Sequence, residues 1–396
     1  MMGHRIYLDN SATTPVRKEV LDEIMPFLTE NGGNPSSRHL EGRIAKTAFE
    51  KARDKVALAI NADPKEIFFN SCATEGNNMV LRGYISGLRG SIRKNHIITT
   101  SVEHPSVYNT AKTLEKDGYE VTFLPVDTKG NLDLEVLKSS IKENTGLISV
   151  MMVNNETGNI FPVSEIAKIA KEKNILFHVD AVQAIGKIPV DVKKIGCDFL
   201  TISAHKFYGL KGAGAIYVKW GKWVAPMMTG GHQEKSRRPG TENIVGVVGM
   251  GKAIELAVSE LETDMKHVAD IRDHLEKRVL SELPYTRVVG DPANRVPTIT
   301  NISFRFIEGE SIQLKLDNDG IAVSTGSACS SGTLEPSHVI TAMNVDPEEA
   351  HSSIRFSLGK YTTMEDIDYT VEKVKKIVEQ LRSFSPIYDK FISEQK

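Results

Sequence analysis

Between about residues 36 and 260 the chain alternates short apolar runs with amphipathic stretches, and that alternation leaves few folds open. The apolar runs are Ile67–Phe69, His96–Thr99, Val121–Leu124, Leu147–Val153, Ile175–Val179 and Phe199–Ser203, each of a length that suits a buried strand. Helical stretches separate most of them, such as Ser164–Lys171 before Ile175. Residues 37–60 carry Ala45, Ala48, Ala52, Val56 and Ala59 at spacings of three and four, which predicts an amphipathic helix capped by Ser36 or Ser37. Strand, helix, strand in repetition predicts a mainly parallel sheet with helices on both faces. One strand breaks the rule. Ala215–Val218 follows Phe199–Ser203 after a Gly-rich turn, Gly209–Gly214, too short for a helical crossover, so it is expected to run antiparallel.

A helical pattern from about Val245 to Leu283 leads out of this region into an α+β texture. There Thr300–Phe306, Ile321–Ser324 and Ser352–Leu358 read as strands and Met364–Leu381 as a helix. The expected division is a large unit, 16–262, and a smaller one formed by 1–15 and 263–396. A chain of 396 residues supports two such cores. A formal net charge of −2 gives no electrostatic reason to expect nucleic acid, and no apolar run approaches the ~20 residues that span a bilayer. Cys72, Cys197 and Cys329 are far apart without a CxxC pair, which argues against a disulfide framework or zinc site and for the cytoplasm.

Two strand ends carry the chemistry. His178-Val-Asp180-Ala-Val-Gln183 and Ser203-Ala-His205-Lys206 place a carboxylate and a lysine at the carboxyl ends of successive strands, where open α/β sheets bind ligands. Lysine to form a Schiff base and a carboxylate to keep a pyridine nitrogen protonated are what pyridoxal phosphate requires, although the same pair also suits a structural ion pair. Ala73 and Thr74 open a helix after a strand, with backbone N–H groups and a hydroxyl that suit a phosphate; from these residues alone, capping by Ser71 or Thr74 is the simpler reading. Ser203 and His205 alternate at a strand end and can point with Lys206 into one site, while Thr241 is a hydroxyl on a turn before a helix that either joins the site or caps the helix. His104 stands before Pro105 at a strand-to-helix junction, placed either to stack on a flat cofactor and shuttle protons or to serve structure.

Asn155 lies in the turn after the most apolar strand, where it either orients a ligand or simply makes the turn. Gln183, one helical turn past Asp180, either shares its ligand or is an exposed helix residue. Cys329 sits in Ser324-Thr-Gly-Ser-Ala-Cys-Ser-Ser-Gly332, small and polar surroundings that suit an accessible, reactive thiol. Arg355 lies in an apolar strand and needs an anionic partner, either a substrate carboxylate or an internal acid.

Taken in order, these segments resemble the cysteine desulfurases of the NifS/IscS type, in the class V aminotransferase-like group of pyridoxal-phosphate enzymes. The resemblance runs from Tyr7-Leu-Asp-Asn-Ser-Ala-Thr-Thr-Pro15 to Ser385-Pro386 and includes Gly230-Gly-His-Gln-Glu234, Arg237-Arg-Pro-Gly-Thr-Glu-Asn243, Gly326-Ser-Ala-Cys329 and Leu334-Glu-Pro-Ser-His338. It implies fold type I, aspartate-aminotransferase-like: a mainly parallel seven-stranded sheet with helices on both faces and a smaller α+β C-terminal domain. It implies that Lys206 carries the cofactor and moves the substrate Cα proton, with Asp180 on the pyridine nitrogen, Gln183 on the ring hydroxyl and His104 on the ring face. Ala73, Thr74, Ser203 and His205 would hold the phosphate, with Thr241 reaching in from the other subunit of a homodimer. Arg355 and Asn155 would bind the carboxylate of L-cysteine. Cys329 would take the sulfur as a persulfide, releasing L-alanine, and pass it to an Fe–S scaffold protein of the IscU/NifU type. Cys329 is also a candidate transient Fe–S ligand through its persulfide, although one thiol cannot build a cluster site alone.

Overall fold

The computed structural model describes residues 5–88, 94–325 and 336–395. Twelve strands occur among them: β1 (Ile6–Tyr7), β2 (Ile67–Asn70), β3 (His96–Thr100), β4 (Glu120–Leu124), β5 (Thr145–Met151), β6 (Leu176–Asp180), β7 (Phe199–Ser203), β8 (Gly214–Val218), β9 (Thr286–Val289), β10 (Ile299–Phe304), β11 (Ile321–Ala322) and β12 (Ser353–Ser357). Seven of them form one sheet in the order β2-β8-β7-β6-β5-β3-β4. Neighbours from β7 through β4 pair in parallel, while β8 is antiparallel to both β7 and β2. Reversing twice brings β2 back to the direction of β7. The carboxyl ends of β2, β3, β5, β6 and β7 therefore share one edge of the sheet, and the site grows from it.

The alternation along each strand explains why both faces are covered. Phe68, Ile97, Leu147, Phe199 and Ile216 enter one apolar core, whereas their neighbours Phe69, Ile98, Ile148, Leu200 and Ala215 enter the other. A strand buried on both sides reads as a continuous apolar run, as β5 does. A third core joins Ile6 and Leu8 to Val268, Leu275, Phe304, Phe356, Val371 and Val378. β1 pairs in parallel with β11, and β9, β10 and β12 form an antiparallel sheet. Val289, Ile299, Val339 and Met343 pack into the core of the large sheet.

Three local expectations are corrected. The helix expected over 37–60 runs Leu40–Ala59, and its cap is His39, whose Nδ1 accepts from the Gly42 N–H. Ser37 is instead held in a turn by the Asn34 carbonyl. The pattern from Val245 to Leu283 is two helices, Ile244–Ser259 and Leu261–Glu282. They part at Glu260, whose carboxylate is drawn to Arg17 and Lys360. The Leu147–Val153 run ends as a strand at Met151, with Val153 making only an isolated bridge to Ile160. Among the described residues no helix is long and apolar enough to cross a membrane.

Candidate active site

Asp180 is the last residue of β6 and is 6% exposed. Its Oδ1 accepts from the Val182 N–H at 3.0 Å and its Oδ2 from Asn77 Nδ2 at 2.7 Å. Lys206 ends a short turn, Ala204–Lys206, that leaves β7 directly, and its Nζ donates to the carbonyls of Ser11 and Ala12 at 2.6 and 2.8 Å. His104 completes the group. Burial is the largest influence on its pKa and lowers it, with Asp180 raising it and Lys206 and His338 lowering it further, so its ring stays neutral more readily than a free histidine. Its Nδ1 accepts from the Ser106 N–H at 3.1 Å, which makes His104 the cap of the Pro105–Lys116 helix as well.

The Ala73–Gly87 helix begins at Cys72 without a side-chain cap, so the capping role expected of Ser71 or Thr74 is not played. Ser71 is turned away, its N–H and hydroxyl both held by the Glu75 carboxylate. Ala73 and Thr74 form the first turn, with Thr74 exposed. Opposite, Ser203 Oγ is buried without a partner. His205 reaches Thr13 Oγ1 at 3.1 Å, and burial among Lys206, Lys211 and Lys187 pushes its pKa down to about 4. Thr241 is exposed and lines a cavity of about 210 Å³ with Asn70, Ser71 and Arg238, on the flank of the same helix start.

Gln183 is not the exposed helix residue that its spacing allowed. It is 4% exposed in a turn, its Nε2 donating to the Ser11 carbonyl at 2.9 Å and its Oε1 accepting from Lys187. Arg355 is 4% exposed; Nη2 pairs with Asp9 Oδ1 at 2.8 Å and Nη1 donates to the Asn155 carbonyl at 3.0 Å. Its Nε and the Asn155 Oδ1 remain without partners. An unpaired donor and an unpaired acceptor therefore stand on two residues already joined by a hydrogen bond.

A family profile described as aminotransferase class-V matches residues 6–370. A protein named cysteine desulfurase IscS from Dictyoglomus turgidum is 50% identical over 385 residues, 97% of each chain. A cysteine desulfurase from Trichormus azollae is 51% identical over 381 residues, 96% of this chain and 94% of that one. A solved structure titled NifS-like protein superposes with a TM-score of 0.90 at 40% identity, over 96% of this chain and all of the other. The chain belongs to the class V aminotransferase family, in its NifS/IscS cysteine desulfurase group. The seven-stranded α/β fold above is that of the group.

In a cysteine desulfurase the informative surprises are the buried polar residues that hold the expected ones. Asn77 and Ser106 stand behind Asp180 and His104. Lys187 is 7% exposed, and burial, with Lys206 and Arg355 nearby, depresses its pKa well below that of a free lysine. Asn77 meets Asp180 across 103 positions, and the Lys187 pKa is depressed partly by Lys206 and Arg355, contacts that spacing along the chain does not reveal. Cys197 is fully buried and its thiol is pushed up by burial, which makes it inert. Cys329 lies outside the described residues.

Proposed function

We propose that this cysteine desulfurase takes L-cysteine to L-alanine by the division of labour its site suggests. The observation that carries the reading is the placement of Asp180 and Lys206 at the ends of adjacent strands, with His104 in the electrostatic reach of both. The residues fit pyridoxal 5'-phosphate: Ser203 Oγ is a buried hydroxyl without a partner, and the Ala73–Gly87 helix opens uncapped toward an anion. Ala73, Thr74, Ser203 and His205 would hold the phosphate, with Thr241 contributed by the second copy in a homodimer. Asp180 would meet the ring nitrogen, Gln183 the ring hydroxyl and His104 the ring face. When bound, the cofactor supplies an electron sink for the substrate Cα.

Arg355 and Asn155 orient the substrate carboxylate through the guanidinium fork and the amide. Lys206 takes the Cα proton and returns one to the product. The Cys329 thiolate attacks the substrate sulfur: the carbon–sulfur bond breaks, a sulfur–sulfur bond forms, and the electron pair left on carbon is protonated. Cysteine plus enzyme thiol thus become alanine plus enzyme persulfide, with no outside oxidant. The persulfide then needs an acceptor, for which an Fe–S scaffold protein is the partner proposed, with cytoplasmic residence and the division into 16–262 and 1–15 with 263–396 as parts of the same reading. Adding pyridoxal phosphate to the purified chain tests it. A visible band near ~420 nm and alanine formed from L-cysteine are expected. A colourless protein that forms no alanine overturns the proposal.

A further inference from the structure

The Asn77 amide nitrogen serves two neighbours at once. It lies 2.7 Å from Asp180 Oδ2 and 2.8 Å from Ser106 Oγ, and Asn77 is fully buried. A carboxylate offers acceptors, so the amide must turn its NH₂ toward Asp180, and that orientation presents the second N–H to Ser106 Oγ. The Ser106 hydroxyl, already accepting, has its own proton left to donate. Its neighbour is His104 Nδ1 at 2.8 Å, the same nitrogen that receives the Ser106 backbone N–H at 3.1 Å. Two donors converge on Nδ1, which therefore carries no proton. The neutral ring must hold its hydrogen on Nε2, the edge turned away from Ser106.

We propose that Asn77 and Ser106 are positioning residues that couple the Asp180 carboxylate to His104 and lock the imidazole in its Nε2–H tautomer. The coupling rests on the reading of Asp180 and His104 as one cofactor site, and not on the identity of the substrate. A fixed donor edge spares the site a tautomer change before each proton movement. The charged and titratable groups that act on His104 are Asp180, Lys206 and His338, with His205 also within its electrostatic reach. Of these, Asp180 is the one tied to it through hydrogen bonds of Asn77 and Ser106.

The test uses the holoprotein labelled with ¹⁵N-histidine, with His104→Gln to identify the His104 signals. The wild type is expected to show an unprotonated Nδ1 and a protonated Nε2. A protonated Nδ1 in the wild type overturns the proposal whatever the variants do. Ser106→Ala leaves only the backbone N–H on Nδ1 and is expected to weaken the Nε2–H preference measurably, to shift the pH profile of kcat, and to lower kcat about three- to tenfold, as loss of one neutral hydrogen bond implies. KM should change little, and Ser106→Thr, which keeps a hydroxyl, should restore both signals and rate. An unaltered tautomer and pH profile in a folded Ser106→Ala protein also overturns it. Failure of desulfurase activity in the wild type would sink the proposed function alone, since the ring-nitrogen spectra are read without turnover.

Discussion

Lys206 and Ser11 stand 195 positions apart, and the lysine ammonium donates to the Ser11 carbonyl at 2.6 Å. The same carbonyl accepts from Gln183 Nε2 at 2.9 Å. The segment after β1 therefore runs beneath the strand ends and gathers two site residues on one oxygen. Lys206→Ala removes the only group proposed to bond the cofactor and move the Cα proton. Alanine formation should fall by about three orders of magnitude, the scale of a lost acid–base group, and the visible band should change in the same variant. Steady-state rates and an absorbance spectrum check both.

Lys187 is a buried base with a depressed pKa, so the folded state holds it neutral where the unfolded chain keeps it protonated. The unfolded state binds the extra proton, and stability is lost as pH falls below the ordinary lysine value. Lys187→Met removes that loss while sacrificing one bond to Gln183. The variant should gain stability relative to wild type as pH drops from alkaline toward neutral, and should bind the cofactor more weakly. Urea unfolding at several pH values, with cofactor titration, measures the two effects separately.

Glu103 is fully buried, and burial pushes its carboxyl up to about 8. Its Oε1 accepts from Thr100 Oγ1 and the Met151 N–H, while Oε2 has no partner. Between the ordinary carboxylate value and about 8 the folded state keeps a proton that the unfolded chain has released. Stability falls across that window as pH rises, by at most about 1.4 kcal/mol per pH unit. Glu103→Gln keeps an accepting oxygen and has no proton to lose. Its stability should lack this decline, so the variant gains on wild type toward pH 8 in the same unfolding series.

Arg355 holds Asp9 and the Asn155 carbonyl with two nitrogens and leaves its third without a partner. Lysine cannot reproduce that fork. Arg355→Lys should raise KM for L-cysteine about tenfold to a hundredfold, with a smaller fall in kcat, the pattern of lost carboxylate binding. An equal loss in thermal stability with KM unchanged would show that the Asp9 pair is purely structural.

Much of the fold was legible because the central strands are buried on both faces and so read as apolar runs, as in β5 and β7. Asp180 and Lys206 were legible because strand ends in such sheets converge. The helix break at Glu260 was not, since it depends on Arg17 and Lys360, far off in sequence. The His39 cap escaped because an imidazole acceptor competed with better-known serine caps. Asn77 and Lys187 were missed for a related reason: each sits in a recognisable segment, but Asn77 is fixed by the distant Asp180, and Lys187 by burial beside the distant Lys206 and Arg355.

Cys329 is the residue proposed to carry sulfur away from L-cysteine. The direct measurement is mass spectrometry of the peptide bearing Cys329 after the holoprotein has met L-cysteine without an acceptor, beside alanine and sulfide yields from Cys329→Ala. One added sulfur on Cys329, removable by a thiol reductant, is expected, with almost no alanine or sulfide from the variant. An unmodified Cys329 together with undiminished sulfide release from Cys329→Ala would contradict it.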